Sequence, residues 1–186
     1  MRVRSSGNSD QQQQQSAAGT SLPWNVESRL DQMNGVVASG AVAPVSNPGG
    51  VRTVPVIDPT SVATQTVPVI ATSSGYLAAV RGHIAAGRMY DAGHIARRDR
   101  VVVIGADLAD SLGITSVANQ PGLYIGEELF VVIGIVDYSA RDSGITGSIL
   151  VPATVAEARF GVERPERVVI ETELGAAGVI AAQAAM

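Results

Sequence analysis

The chain has 186 residues, 46% of them hydrophobic and 4% aromatic, with a formal charge of −4 and no cysteine. That length and apolar content suit one domain, or two small ones, with a real core rather than a disordered chain. The acidic balance argues against nucleic acid as a partner, the scarce aromatics leave little for bases or sugars to stack on, and the missing cysteines exclude disulfides, thiolate zinc sites and cysteine nucleophiles.

In chain order, "MRVRSS" suits a short strand, and the polar, glutamine-rich stretch up to residue 20 suits a mobile loop. Neither forms a signal peptide, because no apolar stretch follows the two arginines. "SLPWNVESRLDQM" predicts a helix over 21–33, capped by Thr20 or Ser21, with Pro23 in its first turn. Leu22, Val26, Leu30 and Met33 share one face, and Asn34-Gly35 stops it. "VVASGAVAPV" follows as a strand and "SNPGG" as a turn. "VRTVPVI" and "TQTVPVIA" are β-branched, and their prolines predict edge positions. "SSGYLAAV" predicts a short helix capped by serine, "RVVVIG" a buried strand, and "ADLADSLG" a short helix closed by Gly113. "GLYIGEELFVVIGIVD" reads as a hairpin turning at Gly126-Glu127. "GSILVP" is a strand stopped by Pro152, "ATVAEARFG" a helix, and the tail from "ERVVIE" a strand and then a helix. The abrupt end inside that helix predicts a piece of something larger. No apolar run approaches the roughly 20 residues that a membrane-spanning helix requires.

Strand and helix at both ends, around a β-rich middle, predict an α+β fold. One layout is a single α/β unit split by an inserted β-rich subdomain; two sequential subdomains fit the same pattern.

Side chains that could do chemistry are few. His83 and His94 lie eleven residues apart with no ligand spacing around them, and they read as exposed loop histidines despite Asp91 and Asp99 nearby. There is no G-x-S-x-G elbow, G-x-G-x-x-G turn or P-loop. Asp107 and Asp110 suit a solvated helix start. Arg97 and Arg98 are either a partner contact or a solvated pair offset by Asp91, Asp99 and Asp107. Arg88 suits a loop pinned through carbonyl hydrogen bonds. The glycines Gly82, Gly87, Gly105, Gly113, Gly126 and Gly134 sit where positive φ or close backbone approach is needed. No metal, cofactor or catalytic group is expected.

Four segments in order carry a resemblance: Gly82 through Arg88, Val101 through Gly113, Ile125 through Val136, and Ile149 through Gly161. Together with "LDQMNGVVASGAV" they are similar to the extracytoplasmic (periplasmic core) domain of MacB-type ABC transporter permeases, from about Leu22 to the end. The resemblance implies a domain held outside the cell membrane, between the first and second transmembrane helices of a permease. It implies a split α/β, porter-like lobe of ferredoxin-like half-units, residues 21–48 and 162–186. A β-rich, sabre-like subdomain, residues 49–161, interrupts it, and residues 1–20 precede it as strand and loop. ATP hydrolysis would belong to a separate ATPase subunit or domain, and this domain, no enzyme itself, would couple it to export or extraction by conformational change. Gly82, Gly87, Arg88, Gly105, Gly113, Gly126, Gly134 and Pro152 would be structural, with Arg97 and Arg98 as partner contacts. Implied partners are the ABC ATPase, a second permease copy and an extracytoplasmic accessory protein. The alternatives are a freestanding secreted ligand- or peptide-binding module and, last, a hydrolase using His94, Asp99 and a remote serine.

Overall fold

The computed structural model describes residues 23–54 and 67–173. The expected first strand, the glutamine-rich loop and the C-terminal helix lie outside these residues. The chain enters through a single 3-10 turn, Trp24–Val26, and one turn of α-helix, α1 (Glu27–Leu30). The helix expected over 21–33 is therefore shorter, and of its described apolar positions only Leu30 is buried. Gly35 ends the segment at φ 88°.

Among the described residues nine strands follow: β1 (Val36–Pro44), β2 (Val51–Arg52), β3 (Val69–Thr72), β4 (Gly82–Gly87), β5 (Val101–Gly105), β6 (Gly122–Ile125), β7 (Glu128–Ser139), β8 (Ile149–Pro152) and β9 (Arg167–Thr172). Short helices punctuate them: α2 (Tyr76–Ala79), α3 (Ala92–Arg97), α4 (Ala106–Ser111) and α5 (Ala153–Phe160). All nine strands join one mixed sheet in the order β2-β6-β7-β5-β8-β3-β1-β9, with β4 also paired to β7. The pairs β3–β8 and β5–β7 are parallel and the others antiparallel. The architecture is α+β, as the sequence pattern predicts.

Two strands anchor the core. β5 and β8 are nearly continuous apolar runs because they lie inside the sheet with both faces covered. Their side chains alternate between faces. Val102, Ile104, Ile149 and Val151 pack with Leu108 of α4 and Val155 of α5. Val103 and Leu150 pack with Tyr76 and Val80 around α2, and with Tyr90 and Ile145.

Several local expectations change. β3 is interior, between β8 and β1. Pro68 precedes its ladder, and the Pro68 carbonyl accepts the Ile149 N–H at 2.9 Å, so the missing proline N–H costs the sheet nothing. β2 does sit at the edge. α2 is capped by Gly75, not by a serine side chain. His94, expected in an exposed loop, lies instead on helix α3, close behind the buried Tyr90. "GHIAAG" forms strand β4, so His83 lies on a strand.

Candidate functional site

The motif residues converge where β4 crosses β7 and turns toward α3. Between β5 and β7 the register shifts at Ile133, because Val102 faces Val132 while Val103 faces Gly134. Such a bulge re-aims the backbone. Here it presents the Ile133 carbonyl to the Arg88 N–H at 2.9 Å. Gly87 and Gly134 are cross-strand partners, and both must be glycine. Gly87 holds φ 75°, and a Cβ there would lie 2.1 Å from the Ile133 oxygen. A Cβ on Gly134 would lie 2.4 Å from the Arg88 oxygen.

The Arg88 guanidinium does not pin carbonyls as expected. Its Nη2 lies 3.2 Å from His94 Nε2 and its Nη1 3.4 Å from Asp91 Oδ2. A guanidinium only donates, so His94 Nε2 accepts, and its Nδ1 donates to Asp91 Oδ1 at 2.7 Å. Asp91 is the N-cap of α3 and accepts the His94 backbone N–H at 3.0 Å. That bond, and then the one from the imidazole, bring the Asp91 carboxyl down to about 2. His94 is thus a buried capping residue, 7% exposed, rather than an exposed loop histidine. His83 is exposed and bonds Asp137 at 2.7 Å, which holds that carboxyl below the usual range.

The remaining motif residues are spread along the sheet. Gly82 opens β4, where a Cβ would collide with Leu77. Gly105 caps α4 against the Ile145 and Thr146 carbonyls. Gly113 follows α4 at φ 69°, and Gly126 turns the β6–β7 hairpin at φ 61°. Pro152 ends β8 and precedes α5. Arg97 pairs with Asp99 at 2.7 Å, and Arg98 caps α3 in the left-handed region at φ 55°. Asp107 and Asp110 are exposed on α4. Among the described residues no group of three or more His, Cys, Asp or Glu could hold a metal ion, and no helix is long and apolar enough to cross a membrane.

A second cluster lies where the chain enters and leaves. β1 and β9 run antiparallel from Val36–Thr172 to Val42–Arg167, and the Glu173 N–H bonds the Gly35 carbonyl at 2.9 Å. The first and last strands among the described residues thus lie side by side. Around them buried polar groups each pair with a more exposed partner. Asp31 accepts from Ser39 Oγ at 2.7 Å. Glu27 Oε1 accepts from Ser73 Oγ and from the Ala41 N–H. Glu171, almost fully buried, pairs with Arg81. The Tyr76 hydroxyl donates to Asp142 at 2.6 Å, and burial first, then Asp142, push that phenol's pKa up. Composition does not single out these residues; the only sequence signal is a polar residue inside an apolar run, as in "VVASGAVA" and "VVIET".

The mixed sheet, with β1 and β9 paired at its end, is a fold shared with extracytoplasmic domains of ABC-type transporters. The periplasmic region of MacB from Actinobacillus actinomycetemcomitans superposes with a TM-score of 0.64 at 12% identity, covering 88% of this chain and 71% of that one. The extracellular domain of the noncanonic ABC-type transporter YknZ from Gram-positive bacteria gives 0.61 at 17% identity, covering 86% and 85%. No curated protein matches the sequence. The MacB-like periplasmic core domain family model matches residues 2–185, and the chain belongs to that family.

Proposed function

We propose that this domain belongs to an ABC transporter permease and couples ATP hydrolysis, carried out by a separate ATPase, to export or extraction through conformational change. The domain itself makes and breaks no bonds in this reading. The observation that carries it is the position of the two exits. The start of β1 and the end of β9 are hydrogen-bonded neighbours, so a movement of either flanking segment reaches the sheet at one place. From there β1 hands it to β3, β3 to β8, and onward through β5 to β7 without a break in the ladder.

The β1–β9 ladder joins segments far apart in the chain, which supports a porter-like lobe from residues 21–48 and 162–186 split by an insert at 49–161. Ferredoxin-like half-units within that lobe belong to the same reading. Gly82, Gly87, Arg88, Gly105, Gly113, Gly126, Gly134 and Pro152 keep the sheet rigid. Arg97 and Arg98 form the contact surface for a partner: an accessory protein outside the membrane or a second permease copy.

The test is biochemical. The full reading frame, expressed with a neighbouring ATPase gene and extracted in detergent, is expected to fractionate with membranes and to co-purify with that ATPase. A full-length product without apolar spans on either side of this domain overturns the reading.

A further inference from the structure

A cleft of about 380 Å³ opens where the carboxyl ends of β3 and β8 emerge together. Parallel pairing sends both strands out at the same level, the usual place for a ligand in sheets that carry helices after their strands. Its volume falls within the roughly 300–1,000 Å³ of small-ligand sites. Trp24 and Glu27 line it from the entry turn, Ser73 from the end of β3, Ile95 and Arg98 from α3, and Thr154 from α5.

The polar groups here divide into spent and unspent. The Trp24 indole N–H already donates to the Val162 carbonyl at 3.2 Å, so its ring serves as apolar wall. Thr154 Oγ1 donates to the Ile95 carbonyl at 2.7 Å. Glu27 Oε1 is engaged by Ser73 and Ala41, and the Gly75 backbone also favours the carboxylate, so the hydrogen bonds to Glu27 come from neutral groups. Glu27 is half-buried, and burial is the chief cause of its raised carboxyl pKa. Among the described residues neither Glu27 nor Arg98 makes an ion pair, with each other or with any other group. The backbone N–H of Arg98 is held by the His94 and Ile95 carbonyls, which roots its exposed side chain at the rim of the cleft.

A desolvated carboxylate without a counter-ion gains from a bound cation, and an unpaired guanidinium suits a carboxylate. The two charges line one cleft and do not pair with each other, so a single ligand with opposite charges at its two ends can answer both. In a single amino acid the opposite charges are adjacent, and each further residue adds about 3.3–3.6 Å of reach. We propose that the cleft binds a short peptide by both ends, its terminal ammonium on Glu27 and its terminal carboxylate on Arg98, with an apolar side chain against Trp24 and Ile95.

Trp24 is the only tryptophan in the chain and reports directly on the cleft. The 186-residue chain is titrated with Leu-Leu, N-acetyl-Leu-Leu and Leu-Leu amide, following Trp24 emission and backbone amide NMR shifts. Leu-Leu is expected to give saturable changes in the millimolar range or below, with shifts confined to Trp24, Ser73, Thr154 and helix α3. N-acetylation and Glu27→Gln should each weaken binding about tenfold, and the variant should no longer distinguish the acetylated ligand. Amidation and Arg98→Gln should behave the same way as a second pair. Arg98 is exposed, so that pair decides the matter even if Glu27→Gln fails to fold. No saturable change with Leu-Leu, shifts elsewhere, or equal affinity for all three ligands overturns the proposal.

Discussion

The inner strands β5 and β8 bury only apolar side chains, whereas β1 and β9, which carry the exits, bury Ser39 and Glu171, and their neighbour β3 buries Thr72. The first region is fixed by volume. Close-packed hydrocarbon has one arrangement, does not titrate, and resists small displacements. The second is fixed by pairs: Asp31 with Ser39, Glu27 with Ser73, Arg81 with Glu171. Each such pair trades one set of hydrogen bonds for another, so its net contribution is small unless a single partner is removed. In the coupling proposed above, the adjustable chemistry would lie where displacement enters and the rigid chemistry where it is carried.

The largest effect should come from breaking the rigid half at its tightest point. In Gly87→Val a β-branched side chain must adopt φ 75° with its Cβ 2.1 Å from a backbone oxygen. Strain and overpacking together cost about 4 kcal/mol. Urea denaturation of the variant should show a lost or strongly shifted transition, and a midpoint near wild type would show that the β4–β7 crossing yields. A smaller loss, about 3 kcal/mol, is expected for Leu150→Ala, a fully buried side chain between β5 and β3. Its transition should stay cooperative, with an unchanged denaturant slope.

The rigid half was also the more legible in sequence. "VVVIG" and "ILVP" announce buried strands by composition alone, and Gly126 announces the hairpin because few other residues suit its φ. Elsewhere the pattern misleads for identifiable reasons. "GHIAAG" has two glycines and two alanines, poor strand formers, and it becomes β4 only by pairing with β7. Helix α3 holds only six residues and starts with Asp91 as its N-cap, whose carboxylate takes both the backbone N–H and the imidazole of His94, rather than with the familiar serine and glutamate. His94 is consumed by that cap, which no spacing rule reveals. The serine expected to cap α2 is engaged elsewhere, because Ser73 Oγ donates to Glu27. The cleft could not be read from the sequence at all, since its charges come from residues 27 and 98 and its floor from residue 73.

In the polar half, removing one partner should expose the asymmetry of buried pairs. Arg81→Ala leaves the Glu171 carboxylate, 8% exposed, without its counter-charge. A buried, uncompensated group costs about 2 kcal/mol. Arg81→Ala combined with Glu171→Leu should recover most of that loss, because an apolar side chain needs no partner. Thermal melts of the three chains check this, and no recovery in the double variant would show that Arg81 acts through its backbone, which holds φ 52°.

The smallest effect concerns Glu27 and is read as a slope rather than a depth. Its carboxyl pKa is raised in the folded chain, chiefly by burial, then opposed by the Ser73 and Ala41 hydrogen bonds and assisted by the charge of Asp31. A raised folded value means the folded state binds the proton more tightly than the unfolded chain. The stability it confers is complete below the ordinary carboxylate range and is lost as pH rises through the folded value. Asp91 and Asp137, with lowered values, act in the opposite sense: their contribution is present above the ordinary range and lost as pH falls. The difference between wild type and Glu27→Gln therefore isolates Glu27 from these two. Glutamine can still accept from Ser73 and Ala41 without a desolvated charge. Its stability should equal or exceed that of wild type near neutral pH, with the advantage shrinking toward acid. A difference that grows toward acid would mean Glu27 is held as a favourable carboxylate, and the entry turn would then be fastened by charge rather than by hydrogen bonds.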